Sequence, residues 1–176
     1  MEEIPTFRYH PDPLGNGVLE VSDSKCCCCN HVRGYFYKGA IYAEEDLESV
    51  CPWCIADGSL ERKFDASLSD EWPLKSAGVS ESIIQEVICR TPGYISWQQD
   101  SWQSCCGDAC EFHGSPSRDE LLNLTDSSFA ALVQSSGLPL NDLREIVAQY
   151  QPDSSPAFYK FICRHCSVAK YTWDCD

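Results

Sequence analysis

The sequence predicts an α+β protein: small antiparallel sheets or hairpins with zinc-ribbon-like knuckles, and three to four helices, mostly in the second half. Three observations predict it. Cysteine supplies 13 of the 176 residues, several of them in C-x₂-C pairs. Alternating aromatic segments flank those pairs, and helical apolar periodicity is concentrated after residue 80. One zinc-stabilised domain over residues 1–176 is expected, with a ribbon-like sub-lobe at 1–64 and a helical one with a terminal hairpin at 80–176.

The elements follow in chain order. Thr6–Tyr9 and Val18–Val21 read as short extended segments, separated by a Pro- and Gly-containing turn from Pro11 to Gly17. Val32 to Ala43 alternates (Tyr35 and Tyr37, with Phe36 opposite) and reads as a strand or hairpin turning near Lys38-Gly39. Residues 55–64 suggest a short helix weakened by Gly58, and residues 65–79 a polar loop. Ser80 is placed to cap a helix whose Ile83, Ile84, Val87 and Ile88 share one face, stopped by Thr91-Pro92-Gly93. Trp97 and Trp102 are expected in the core, around a second cysteine cluster. Ser117 to Glu120 has capping-box spacing, Asp126 is placed to cap a helix ended by Gly137, and residues 140–150 form another helix. Ala157–Cys163 and Ala169–Trp173 read as a terminal hairpin with the last C-x₂-C pair at its turn.

The cysteines carry the chemistry. Cys26 to Cys29 are four in a row, and the outer two have C-x₂-C spacing; Cys51 and Cys54 repeat it. Such turns aim two thiolates at one point while backbone amides stabilise their charge, which suits tetrahedral zinc. A second set is Cys106, Cys110, Cys163 and Cys166. There Cys105 is a rival for Cys106, and His165 or His113 for a thiolate; Cys27 and Cys28 are registry rivals in the first set. Two structural zinc ions are expected, iron being the other metal that four thiolates suit. Cys27, Cys28, Cys89, Cys105 and Cys175 remain as buried or spare thiols.

Charge and motifs exclude more than they select. The formal net charge is −14, which argues against gripping a phosphate backbone directly. Two four-thiolate zinc sites would take it to about −18, so the expected partner is basic. No window has the unbroken apolar run of a membrane helix, and Met1-Glu2-Glu3-Ile4-Pro5 lacks the blocks of an export signal. A reducing cytoplasm is therefore expected, where thiols point to metal before disulfides. No zinc-hydrolase, nucleophile-elbow or phosphate-loop motif is present, and closed four-thiolate sites leave no position for a reactive water. No catalytic residue is assigned. Cys51-Pro52-Trp53-Cys54 has the spacing of a thiol-disulfide oxidoreductase, but acidic Glu44 to Val50 precedes it where such enzymes have a buried strand.

Several longer runs carry a resemblance. Phe7-Arg8-Tyr9-His10-Pro11-Asp12-Pro13-Leu14, Cys51-Pro52-Trp53-Cys54-Ile55-Ala56-Asp57-Gly58-Ser59, Arg90-Thr91-Pro92-Gly93-Tyr94 with Trp97-Gln98-Gln99, and Cys106-Gly107-Asp108-Ala109-Cys110 are similar to the CbrC family of cysteine-rich bacterial proteins. The resemblance spans nearly the whole chain and implies Cys26 with Cys29, and Cys163 with Cys166, as metal-site pairs. The chain departs from the pattern in its extra thiols at Cys27, Cys89 and Cys105 and in a shorter acidic stretch between residues 65 and 80. The family is associated with tolerance to a colicin, which implies an immunity protein that neutralises a toxin, a basic nuclease being the class such an acidic chain would meet. A zinc-ribbon adaptor for another basic partner is the alternative. The interface residues expected on charge are Glu44, Glu45, Asp46, Glu48, Asp70 and Glu71, with Asp65 and Trp72 nearby.

Overall fold

A computed structural model describes residues 2–175. The architecture is mixed α+β with small antiparallel sheets. Strands β1 (Leu19–Lys25) and β2 (Val32–Tyr37) form the first hairpin, with Leu19 opposite Tyr37 and a bulge between Ser22 and Lys25. Four short helices follow: α1 (Pro52–Ala56), α2 (Ser59–Phe64), α3 (Trp72–Ser76) and α4 (Glu81–Arg90). Two-residue strands β3 (Ser104–Cys105) and β4 (Asp108–Ala109) make a tight hairpin, and β5 (Glu111–Phe112) leads to helices α5 (Arg118–Leu122), α6 (Asp126–Ser136) and α7 (Leu140–Gln149). Strands β6 (Ala157–Ile162) and β7 (Ala169–Asp174) complete a three-stranded sheet in the order β5-β6-β7.

Strand β6 organises the second half because both its faces are buried. Alternate residues of a strand point to opposite sides. Ala157, Tyr159 and Phe161 enter an aromatic core with Tyr94, Trp102 and Phe112, against Ile84, Val87 and Ile88 of α4. Phe158 enters a second core with Leu121, Leu132, Leu143 and Val147 of the three late helices. In the aromatic core Tyr94 stacks on Phe112 at 4.7 Å between centroids, and the Trp102 indole N–H donates to the Cys110 carbonyl at 2.9 Å. The buried indole is thus satisfied, and each such aromatic pair adds about 1 kcal/mol to the area it hides. A third core joins Phe7, Val18, Leu19, Phe36, Val50, Ile55, Leu60 and Leu68 to the thiols of Cys26, Cys51 and Cys54.

Several local expectations are corrected. Of the two readings of residues 32–43, the strand holds and the hairpin does not: β2 pairs back with β1. Thr6–Tyr9 joins no ladder, because Tyr9 crosses into the aromatic core and its carbonyl accepts from Phe112. The polar stretch 65–79 contains α3, started by Pro73 near its first turn. Thr125, not Asp126, caps α6: its hydroxyl accepts from the Ser128 N–H at 3.2 Å, while Asp126 lies in the first turn, where its charge favours the helix dipole. Ser117 does cap α5 through the Glu120 N–H, and Ser80 occupies the cap of α4 but turns its hydroxyl to Ser82. Gly137 ends α6 at φ 68°. Trp97 is not core: it is 54% exposed, whereas Trp102 is 1% exposed. Gly93 lets two cores meet, since a Cβ there would lie 2.4 Å from the Leu68 carbonyl oxygen.

His10 is wholly buried beside Phe112. Its Nδ1 lies 2.8 Å from the Pro92 carbonyl oxygen and its Nε2 3.1 Å from Asn16 Nδ2. A carbonyl only accepts, so Nδ1 holds the proton, Nε2 accepts from the Asn16 amide, and the ring is neutral. Burial, the largest influence, pushes its pKa down from 6.5 to about 4, against the Pro92 carbonyl and Asp12, which favour the charged ring. The unfolded chain therefore takes up this proton first. The stability His10 contributes is whole above the unfolded pKa, falls as pH drops from 6.5 to about 4, and is lost below that, roughly 3 kcal/mol in all. Ring nitrogen NMR should show the neutral Nδ1–H form at about pH 5; a midpoint near the ordinary histidine value would overturn this.

Candidate metal centres

The first site is built where the β1–β2 turn meets the start of α1. In that turn Cys26 N–H donates to the His31 carbonyl, Asn30 N–H donates to the Cys26 carbonyl, and Asn30 takes a left-handed φ of 60°. The loop so formed points Cys26 and Cys29 inward. Cys51 caps α1 ahead of Pro52, and Cys54 lies in its first turn. Backbone bonds from Cys27 N–H to Ser49 and from Tyr37 N–H to Val50 hold the two halves together. Lys63 of α2 clamps the turn from outside, donating to the Cys27 and Cys28 carbonyls at 3.0 Å each.

The four sulfurs of Cys26, Cys29, Cys51 and Cys54 lie within 4.8 Å of one another. Cys26 to Cys54 is 3.8 Å and Cys29 to Cys51 is 3.9 Å. A tetrahedron with metal–sulfur bonds of about 2.3 Å has edges of about 3.8 Å, so the tetrad fits a tetrahedral ion. The distances are far from the roughly 2 Å of a disulfide. Cys27 and Cys28, the registry rivals, stay outside the tetrad.

The second site repeats the first turn in a different place. Between β6 and β7, Cys163 N–H donates to the Val168 carbonyl, Ser167 N–H donates to the Cys163 carbonyl, and Ser167 has φ 58°. This is the bonding of Cys26, His31 and Asn30 over again, and it aims Cys163 and Cys166 at one point. The other two thiols come from the β3–β4 hairpin, whose two-residue turn Cys106-Gly107 has φ 54° and 75°. Gly107 accommodates that backbone freely; Cys106 is held in it.

The tetrad here is Cys105, Cys106, Cys163 and Cys166. Cys105 is 3.7 Å from both Cys106 and Cys166. The expected Cys110 is not part of it and is replaced by Cys105. The reason is register: Cys110 N–H bonds to the Gln103 carbonyl at the foot of the hairpin, two residues or roughly 7 Å along the strands from the Cys105–Asp108 pair. Its thiol is buried in the aromatic core, and burial, followed by the charges of Cys163 and Cys105, pushes its pKa up to about 12. The histidines are also occupied elsewhere. His113 faces Glu111, and His165 Nε2 lies 2.8 Å from Asp108 Oδ2.

Asp108 is the residue that sequence reasoning missed. It is buried beside the tetrad, accepts from Tyr9 Oη and Ala109 N–H at 2.8 Å each, and pairs with Arg164 at 3.5 Å. Burial raises its pKa, but those donors and His165 outweigh it and hold the carboxyl below the ordinary range. Its position directly after a left-handed turn, opposite Cys105, was the available signal.

Four thiols this close cannot all ionise unaided. In the first tetrad Cys26 is held down to about 4, chiefly by the Cys51 thiol, against burial and with help from the N–H groups of Cys29, Cys51 and Cys28. Cys51 is driven far up by that same hydrogen bond and by burial, and Cys54 by burial and the Cys26 charge. In the second, burial raises Cys163, but the Cys166 and His165 N–H groups and neighbouring thiols bring it to about 6, while Cys106 goes up to about 12 through Cys166 and Cys105. A divalent ion reverses this repulsion and displaces the remaining protons. Each tetrad could hold one metal ion.

The acidic residues are placed as follows. Glu44, Glu45, Asp46 and Glu48 are exposed around a concavity of about 470 Å³ beside Lys38. Asp70 and Glu71 are engaged instead: Asp70 accepts from Gln99 Nε2 at 2.7 Å and from Trp72 N–H at 3.0 Å, and Glu71 pairs with Lys75 at 2.9 Å.

Two predictions follow from the tetrads. Cys105→Ser should lower the metal:protein ratio by one, whereas Cys110→Ala should leave it unchanged; metal analysis of the purified variants decides, and the reverse result would restore Cys110 as a ligand. The sites also differ in exposure, three ligands of the first being buried and two of the second exposed. A chelator should therefore empty the second site at least tenfold faster than the first, followed with a colorimetric metal indicator; equal rates would contradict the assignment.

The family model described as "Uncharacterised protein family (UPF0167)" matches residues 4–175. The chain is 45% identical over 173 residues to UPF0167 protein PA1536 of Pseudomonas aeruginosa, covering 97% of each. It is 38% identical over 170 residues to UPF0167 protein Mb2317 of Mycobacterium bovis and, equally, to MT2352 of Mycobacterium tuberculosis, covering 95% of this chain and 91% of each relative. No solved structure matches. The resemblance to the CbrC family is thereby corrected: the matching model and relatives carry a different family name, and the colicin association attached to CbrC does not come with it. The chain belongs to the uncharacterised protein family UPF0167.

Proposed function

We propose that this protein is a non-catalytic binding protein, stiffened by two structural zinc ions, whose partner is a basic protein. In its sharpest form the reading is an immunity protein that covers the nucleic-acid-binding face of a basic toxin nuclease. The observation that carries it is the contrast between closed sulfur sites and open acid. Each tetrad supplies four thiols, enough to fill a tetrahedral ion and leave no position for a reacting water. Zinc is the ion chosen because four thiolates in this geometry suit it, with iron separated by metal analysis. When bound, such an ion supplies crosslinks between distant parts of the chain.

The acid is available for binding. Glu44, Glu45, Asp46 and Glu48 are exposed, and nearby Lys38 pairs with Glu20, so that none of the four carboxylates is in an ion pair among the described residues. A net charge of −14 would steer a basic partner towards the protein and speed encounter. No helix among the described residues is long and apolar enough to cross a membrane.

The test joins capture to kinetics. The tagged full chain should retain a basic protein at low salt, and the purified pair should associate at least tenfold more slowly in high salt. The triple variant Glu44→Lys, Glu45→Lys, Glu48→Lys should show a comparable loss of association rate without losing metal. A salt-insensitive pair, or a variant that binds at the original rate, would sink the electrostatic reading.

A further inference from the structure

An indole half in water needs a reason, and the loop carrying Trp97 supplies unusual support for one. Ile95 and Trp97 are 52% and 54% exposed. Yet the backbone beneath them is fixed: the N–H groups of Trp97 and Gln98 both donate to Asp174 Oδ2, at 3.0 and 3.2 Å, and Gln98 Nε2 donates to the Cys175 carbonyl at 2.9 Å. The other Asp174 oxygen accepts from Tyr159 Oη at 3.0 Å. A single carboxylate at the end of β7 thus couples the exposed loop to the aromatic core. An aromatic presented on an ordered backbone loses little entropy on binding.

Trp97 lines an open cleft of about 700 Å³. Buried Phe112 and Tyr159 also line it, and Asn16, Ser115 and Asp153 add polar groups. No lysine or arginine lines it. Asp153 is exposed; one oxygen accepts from Ser115 Oγ at 3.1 Å, and no ion pair engages the carboxylate among the described residues. The cleft therefore combines one half-exposed indole with a carboxylate that no ion pair engages, on a protein of net charge −14. That pairing selects a cation with a flat, weakly hydrated head: a guanidinium stacks on an indole and forks onto a carboxylate, where an ammonium does only part of this.

We infer that the Trp97–Asp153 cleft is a binding site for an arginine side chain, and that a basic protein partner anchors there. The second clause rests on the function proposed above; the first does not. The acidic residues Glu44 to Glu48 would attract such a partner, and the cleft would fix it.

The test uses the isotopically labelled, metal-loaded full chain with N-acetyl-arginine amide as the probe and N-acetyl-citrulline amide as its uncharged isostere. Arginine should shift the Trp97 indole N–H and the Ser115 and Asp153 amides saturably, and citrulline should not. Asp153→Asn keeps the shape and tolerates the left-handed φ of 61° at this position; it should weaken the apparent Kd at least fivefold, as should Trp97→Ala. Equal shifts with citrulline would make the cleft an apolar docking groove and overturn the assignment, as would shifts confined to Glu44–Glu48. A basic protein bound with full affinity by Trp97→Ala would remove the cleft and leave the proposed function standing. Arginine bound in the cleft of a chain that binds no basic protein would do the opposite.

Discussion

Repulsion between neighbouring thiolates governs this protein. Within each tetrad the sulfurs lie less than 4.8 Å apart, close enough that ionising one thiol suppresses the next. The backbone has already gone some way towards resolving this, by turning N–H groups onto Cys26 and Cys163. It cannot do so for all four sulfurs. The turns and caps around each tetrad bring together four sulfurs that a bound cation could neutralise. The rest of the fold inherits the arrangement: α1 begins where Cys51 must sit, and the β3–β4 hairpin exists as a two-residue turn that presents adjacent thiols.

The two tetrads act over different lengths of chain. Cys26 and Cys54 are 28 positions apart, and Cys105 and Cys166 are 61 apart. Closing the longer loop costs only about 0.7 kcal/mol more in chain entropy, but it encloses all three late helices and the core they share with Phe158. With an ion bound, the first tetrad would be a local brace within one core and the second a long-range tie. Asp108 reinforces that tie by joining Tyr9, from the N-terminal segment, to His165 and Arg164, from the last turn.

Much of this was legible in the sequence where the signal was local. The C-x₂-C turns, the Ser117 cap, the Gly137 stop and the terminal hairpin depend on residues a few positions apart, and the structure places each as spacing indicates. What was illegible depended on choices made across space. By spacing Cys110 is the ligand beside Cys106, with Cys105 a rival for Cys106 alone; the pairing of Cys110 with Gln103 instead leaves Cys105 in the sulfur cluster and Cys110 in the core. Trp97 and Trp102 look alike in sequence, but the Asp174 carboxylate pins the loop of one outside while the Cys110 carbonyl receives the indole of the other. Thr125 and Asp126 are both good caps, and the choice between them is a one-residue shift that propensity does not decide.

The position of the second knuckle has one more consequence. It closes the turn between β6 and β7, and β6 is the strand that divides two cores. A slip of one residue in that strand would exchange Phe158 with Tyr159, sending a phenol hydroxyl among the leucines of the helices. The same slip would carry Cys163 away from its three sulfur neighbours. Misregistered chains would therefore fail to close the sulfur cage, so an ion held at this turn would favour the aligned strands over the slipped ones.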